Sequence, residues 1–122
     1  MEIDDGTIYW ANRYHNSHGL GAITAMPVDG GPVNELAIEQ NSPKDMVVHD
    51  GDVFWVNSGD NWDQNGQLMQ LQAGATEPEV LVENLRSHTY VQVDDDYIYV
   101  TATDPEADIF DLDVGHLYRI ER

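Results

Sequence analysis

One segment is written three times along this chain, and the step between copies is constant enough to align them residue by residue. Ile3, Asp5, Gly6, Ile8, Tyr9, Trp10, Asn12, Gly21, Leu36 and Ser42 recur as Val48, Asp50, Gly51, Val53, Phe54, Trp55, Asn57, Gly66, Leu81 and Ser87, an offset of 45 residues throughout. Val93, Asp95, Ile98, Tyr99 and Val100 repeat the step, and Gly115, Leu117 and Ile120 answer Gly66, Leu68 and Leu71 after a loop four residues longer. A chain written this way is an array of one small unit, since each copy meets the same burial problem with the same residue types.

Within the second copy, Asp45 to His49 is a short apolar strand ended by the turn Asp50-Gly51, and Asp52 to Asn57 is a second strand. Val53, Trp55 and Asn57 alternate with Phe54 and Val56, so this strand is apolar on both faces, as a strand sandwiched between two neighbours must be. Gln67 to Gln72 and Glu79 to Glu83 supply a third and a fourth strand. The first copy has the same four strands at Met1 to Ile3, Thr7 to Asn12, Ala22 to Val28 and Val33 to Ile38, and the third has three, at Thr89 to Val93, Tyr97 to Ala102 and His116 to Glu121. One such sheet cannot bury both its faces alone, which predicts an all-β fold of stacked β-propeller blades. The expectation is a single repeat domain over 1–122: blade 1 at about 1–40, blade 2 at about 44–84 and a partial blade 3 at about 88–122.

Three blades do not close a ring, because closed propellers have at least about four. The outer faces of the first and third blades therefore predict a partner. A second copy related by a two-fold axis would complete a six-bladed ring; the alternative cover is the remaining blades of a longer parent.

With 23 acidic residues against five Lys and Arg, the net charge is −18, and Lys44 is the only lysine. Such a field repels phosphate backbones and anionic headgroups, which argues against nucleic acid and lipid surfaces as partners. Screening of this self-repulsion suits a salt-rich medium; the same carboxylates are also the ligand type that calcium takes. No cysteine is present, which removes disulfides, thiolate metal sites and a cysteine nucleophile. No apolar run approaches a membrane span, and the acidic start Met1-Glu2-Ile3-Asp4-Asp5 is unlike a secretory leader.

The tract Ile8-Tyr9-Trp10-Ala11-Asn12, followed by Ile23-Thr24-Ala25-Met26-Pro27-Val28-Asp29-Gly30-Gly31, resembles the YWTD propeller repeat, in which a Tyr-Trp-Thr-Asp strand precedes an Ile-x-Arg-x-x-Leu-Asp-Gly strand and turn. Phe54-Trp55-Val56-Asn57 with Leu68-Met69-Gln70-Leu71, and Tyr99-Val100-Thr101-Ala102 with Leu117-Tyr118-Arg119-Ile120, are weaker copies. Bacterial six-bladed propellers of the NHL and TolB-like kind share these features. The resemblance implies a six-bladed ring, a binding or scaffolding role and an extracellular or periplasmic setting. It carries no catalytic residue across. Asn12, Asn57 and Ala102 stand where that family has its Asp, so its hydrogen bonding between repeats is expected to be partial here.

In a propeller the loops between second and third strands share one end with the links between blades, and that end is where a ligand site is expected. Asn61-Trp62-Asp63-Gln64-Asn65-Gly66, beside Asp60, has the alternating oxygen ligands of a calcium loop, although Gln72 replaces the bidentate Glu of an EF-hand and an Asx-stabilised turn uses the same residues. The longer third loop carries Asp104, Glu106, Asp108, Asp111 and Asp113, which are either carboxylates converging on a hard cation or plain solvated acidity. The expected metal set is Asp63, Asn65, Asp108, Asp111 and Asp113, with calcium as the cofactor, and the expected ligand set is Trp62, His88, Asp60 and Asp63. Trp62, alone among polar residues, is suited to a glycan or peptide, or else folds back over its own blade. His15 and His18 lack a third ligand nearby, and His88 falls where an inner strand begins. Trp10 and Trp55 repeat at one strand position and are expected in the core.

No serine elbow, phosphate loop or metalloprotease helix is present. The reading is thus a non-enzymatic binding or scaffolding module that self-associates. A metal-dependent lyase or hydrolase of the six-bladed type, and a half-propeller fragment with a structural role, are its rivals.

Overall fold

A computed structural model describes residues 1–13, 20–59, 65–85, 90–103 and 115–122. Among the described residues there are strands and turns but no helix. The strands are β1 (Glu2–Asp4), β2 (Thr7–Asn12), β3 (Gly21–Pro27), β4 (Asn34–Gln40), β5 (Pro43–His49), β6 (Asp52–Asn57), β7 (Gly66–Leu71), β8 (Glu79–Leu85), β9 (Tyr90–Val93), β10 (Tyr97–Thr103) and β11 (Gly115–Glu121). They form three antiparallel sheets, each ordered as in the chain: β1-β2-β3-β4, β5-β6-β7-β8 and β9-β10-β11. The second sheet lies between the other two.

Turn chemistry sets the first hairpin of each sheet. Asp5-Gly6 and Asp50-Gly51 both have positive φ at both positions (42° and 75°, 52° and 84°). This is the two-residue mirror-image turn whose twist matches paired strands, and it explains the Asp-Gly of the first two copies. The third copy has Asp94-Asp95-Asp96 instead, and Asp94 Oδ1 accepts from the backbone N–H groups of Asp96 and Tyr97 at 2.9 and 2.7 Å.

The apolar alternation of β6 divides its side chains between two cores. Val53 and Trp55 point to the first sheet and pack with Ile23, Ala37, Met46, Met69 and Leu71. Phe54 and Val56 point to the third and pack with Leu68, Leu85, Val91, Ile98 and Val100. Trp55 and Phe54 are fully buried, and complete burial of a side chain of this size contributes about 1.5–3 kcal/mol. The strand expected to be sandwiched is so.

Trp10, at the same strand position as Trp55, is only partly buried. Register places it with Ile3, Ile8 and Met26 on the face of the first sheet turned away from the second. Ile3 on that face is 67% exposed. The matching outer face of the third sheet holds Tyr90, Gln92, Tyr97, Tyr99, Leu117 and Arg119, with Leu117 68% exposed.

The last strand of the first two sheets ends in the same irregularity. Pairing slips between Gly21/Gln40 and Ile23/Ala37, and again between Gly66/Leu85 and Leu68/Val82. Glu39 and Asn84, one residue before Gln40 and Leu85, take positive φ of 57° and 62°. Such a bulge re-aims the next side chain, and here Gln40 and Leu85 are both buried at a junction between sheets. The repeated glycine makes room for it: a β-carbon on Gly66 would lie 2.6 Å from the Leu85 carbonyl oxygen and 2.9 Å from that of Asn57.

Candidate functional site

β5 and β9 lie side by side and run the same way. At one end Asp45 Oδ2 accepts from the Val91 N–H (3.0 Å), and Lys44 Nζ sits 4.7 Å over the Tyr90 ring. At the other end the β5–β6 turn meets the β9–β10 turn. There His49 Nε2 stands 2.8 Å from Asp95 Oδ1 and 3.5 Å from Asp50 Oδ2. One ligating atom from each of the three lies within 4.8 Å of the others, the one such group among the described residues. The His49 side chain is 27% exposed, while Asp50 and Asp95 are largely in solvent.

Around this trio the same turns are tied together by neutral and charged hydrogen bonds. Arg122 donates through Nη1 to the Asp94 carbonyl (2.9 Å) and through Nη2 to Asp52 Oδ2 (3.3 Å), and its guanidinium lies 5.6 Å above the Phe54 ring. Asp52 Oδ1 accepts from the Ala73 N–H at 2.8 Å. The Tyr99 hydroxyl donates to Asp94 Oδ2 at 2.8 Å. That phenol, with the Asp96 and Tyr97 N–H groups, holds the Asp94 carboxyl below the ordinary aspartate value, and the carboxylate in turn raises Tyr99.

A second polar arrangement is buried between the first and second sheets. Gln40 Oε1 accepts from Trp55 Nε1 (3.0 Å) and Asn57 Nδ2 (2.9 Å), and Gln40 Nε2 donates to the Ile38 carbonyl (2.9 Å). An indole nitrogen only donates, so Gln40 must turn its oxygen to Trp55, and Asn57 must then turn its nitrogen to Gln40. Asn57 Oδ1 is left buried without a partner. Asn57, where the resembled repeat has Asp, thus bonds across to the preceding copy, whereas Asn12 donates within its own sheet to Thr24 Oγ1 (3.4 Å).

Of the residues singled out from sequence, Trp62, His88, Asp60, Asp63, Asp108, Asp111 and Asp113 lie outside the described residues, as do His15, His18, Asp104 and Glu106. Asn65 is described: it is exposed, just before β7, with its side chain against the backbone of Gly59. The described residues place the trio at the end of the sheets opposite the β6–β7 connection, where no site was expected. Its signal was present in the repeat, since His49-Asp50 occupies the positions of Asp4-Asp5 and Asp94-Asp95. One imidazole among five carboxylates marks the junction of the second and third sheets.

No protein-family model, curated protein or solved structure matches this chain.

Proposed function

We propose that the three sheets are blades of a β-propeller, and that the chain is a non-enzymatic binding or scaffolding module whose two outer faces close on a second copy to form a six-bladed ring. The observation carrying this reading is the equivalence of faces. Ile8, Trp10 and Asn12 repeat Val53, Trp55 and Asn57, the residues with which the second sheet meets the first. Tyr99 and Leu117 repeat Phe54 and Leu68, with which it meets the third. Each outer face is therefore the partner type of the other. Two copies related by a two-fold axis satisfy both faces at once, with the first blade of each against the third blade of the other.

Light scattering on the purified chain tests this. The expected species is a dimer of about 27 kDa, twice the 13.7 kDa chain, and Trp10→Asp, which sets a charge in the shared face, converts it to monomer. A monodisperse monomer of the unaltered chain at micromolar concentration refutes self-closure and leaves the faces to the blades of a longer parent.

A further inference from the structure

We propose that His49, Asp50 and Asp95 form a site for a divalent transition cation of the zinc type, which clamps the second sheet to the third across their adjoining turns. The donor set is one imidazole nitrogen and two carboxylate oxygens, a mixture that suits zinc-like ions; calcium takes six to eight oxygens instead.

Size supports the assignment. Ligand bonds of about 2.0–2.2 Å place neighbouring donors of a tetrahedral ion roughly 3.4 Å apart. The two edges that meet at His49 Nε2 are 2.8 and 3.5 Å, and the third is within 4.8 Å. An ion enters with adjustments of about 1 Å or less by two exposed side chains. Three protein ligands leave a fourth position for water.

Charge supports it as well. A histidine–aspartate hydrogen bond accounts for Asp95 but not for the second carboxylate, which stands 3.5 Å from the same nitrogen. In a chain of net charge −18, holding two of its carboxylates this close together is unfavourable, and a dication removes that repulsion. The site also spans two sheets: His49 ends β5 and Asp50 opens the β5–β6 turn, while Asp95 lies in the β9–β10 turn. Binding that requires both turns in place stabilises the native stack by mass action. At the junction of the first and second sheets the corresponding residues, Asp4, Asp5 and Asp50, include no imidazole.

The experiment is calorimetric titration of the full chain with zinc chloride in a non-chelating buffer, alongside His49→Gln, Asp95→Asn and the control Asp5→Asn, with circular dichroism to confirm that each is folded. Expected are one zinc per chain at micromolar affinity, a loss of at least about tenfold in His49→Gln and Asp95→Asn, and no change in Asp5→Asn. Calcium at equal concentration leaves the His49 ring proton signals unshifted, whereas zinc moves them. Zinc binding that is absent up to millimolar concentration, or equally strong in His49→Gln and Asp95→Asn, overturns the assignment. The two variants separate binding at this site from binding by the other four histidines. Because the readout is ion binding by one chain, it stands or falls separately from ring closure.

Discussion

Replacing Gln40 by Leu tests the buried junction between the first two sheets more sharply than any cavity-forming change. The substitution is sterically tolerable, because Leu85 occupies the equivalent bulged position one repeat later. What it removes is the oxygen that receives both Trp55 Nε1 and Asn57 Nδ2. Trp55 is fully buried and Asn57 is 3% exposed, so neither stranded donor reaches water. Each stranded buried donor costs about 1–3 kcal/mol, or roughly 2–6 kcal/mol for the pair, a large share of the 5–15 kcal/mol typical of a whole domain. The added apolar contact of Leu offsets about 1 kcal/mol of this. Urea unfolding followed by circular dichroism, with a slope of about 1.5–2 kcal/mol/M, should show the midpoint falling by roughly 0.5–3 M for the net cost of about 1–5 kcal/mol. In a Trp55→Phe background one donor is already gone, and Gln40→Leu should then cost about 1–3 kcal/mol less. A cost for Gln40→Leu below about 0.5 kcal/mol, or additivity of the two changes within that margin, would refute the accounting.

Acid unfolding of Asp94→Asn examines the turn network. The folded carboxyl of Asp94 lies below its ordinary value of 3.8, chiefly because Tyr99 and the Asp96 and Tyr97 N–H groups bond its ionised form. Its contribution is therefore complete above about pH 4 and is lost as pH falls through the depressed folded value. The unaltered chain should lose stability more steeply below about pH 4 than Asp94→Asn, and parallel acid limbs would contradict this. Gly66→Ala forces a β-carbon to within 2.6 Å of the Leu85 carbonyl oxygen; both close neighbours are backbone and cannot rotate away. A melting temperature lowered by at least about 5 °C is expected, in line with overpacking costs of 1–3 kcal/mol, and an unchanged one would mean that the bulge relaxes freely.

The strands were legible because their signals are local. The alternation of Val53 to Asn57 and the Asp-Gly turns at 5–6 and 50–51 gave β2 and β6 their observed bounds, Thr7–Asn12 and Asp52–Asn57. The sequence pattern ends β4 at Ile38, yet the strand runs to Gln40, with Glu39 at positive φ in a bulge that no propensity anticipates. The His49 group was not legible as a site. It depends on β5 and β9 lying side by side, a contact between positions 46 residues apart that follows from stacking rather than pattern. The expected ligand and calcium residues fall almost wholly in segments outside the described residues, so the trio and the Gln40 network are what the described chain adds.

The two junctions solve one packing problem with different chemistry, and the difference has a consequence for the uncovered face of the first sheet. Between the first and second sheets a Trp and an Asn on the later copy require an acceptor, and Gln40 on the earlier copy supplies it. Between the second and third, Leu85 stands in place of Gln40 and packs in a core with Val100, which replaces the Trp. Donor and acceptor changed together across a junction, which is what burial enforces, since a donor without an acceptor costs more than losing both. Trp10 and Asn12 keep the donor-bearing pair on the outer face, with Asn12 meeting Thr24 of its own sheet at the long distance of 3.4 Å. Any surface that buries this face must therefore bring an oxygen acceptor to the level of Trp10. A purely apolar cover, such as the Leu85 type of junction offers, would strand the indole and be disfavoured by about 1–3 kcal/mol against one bearing an amide or carboxylate.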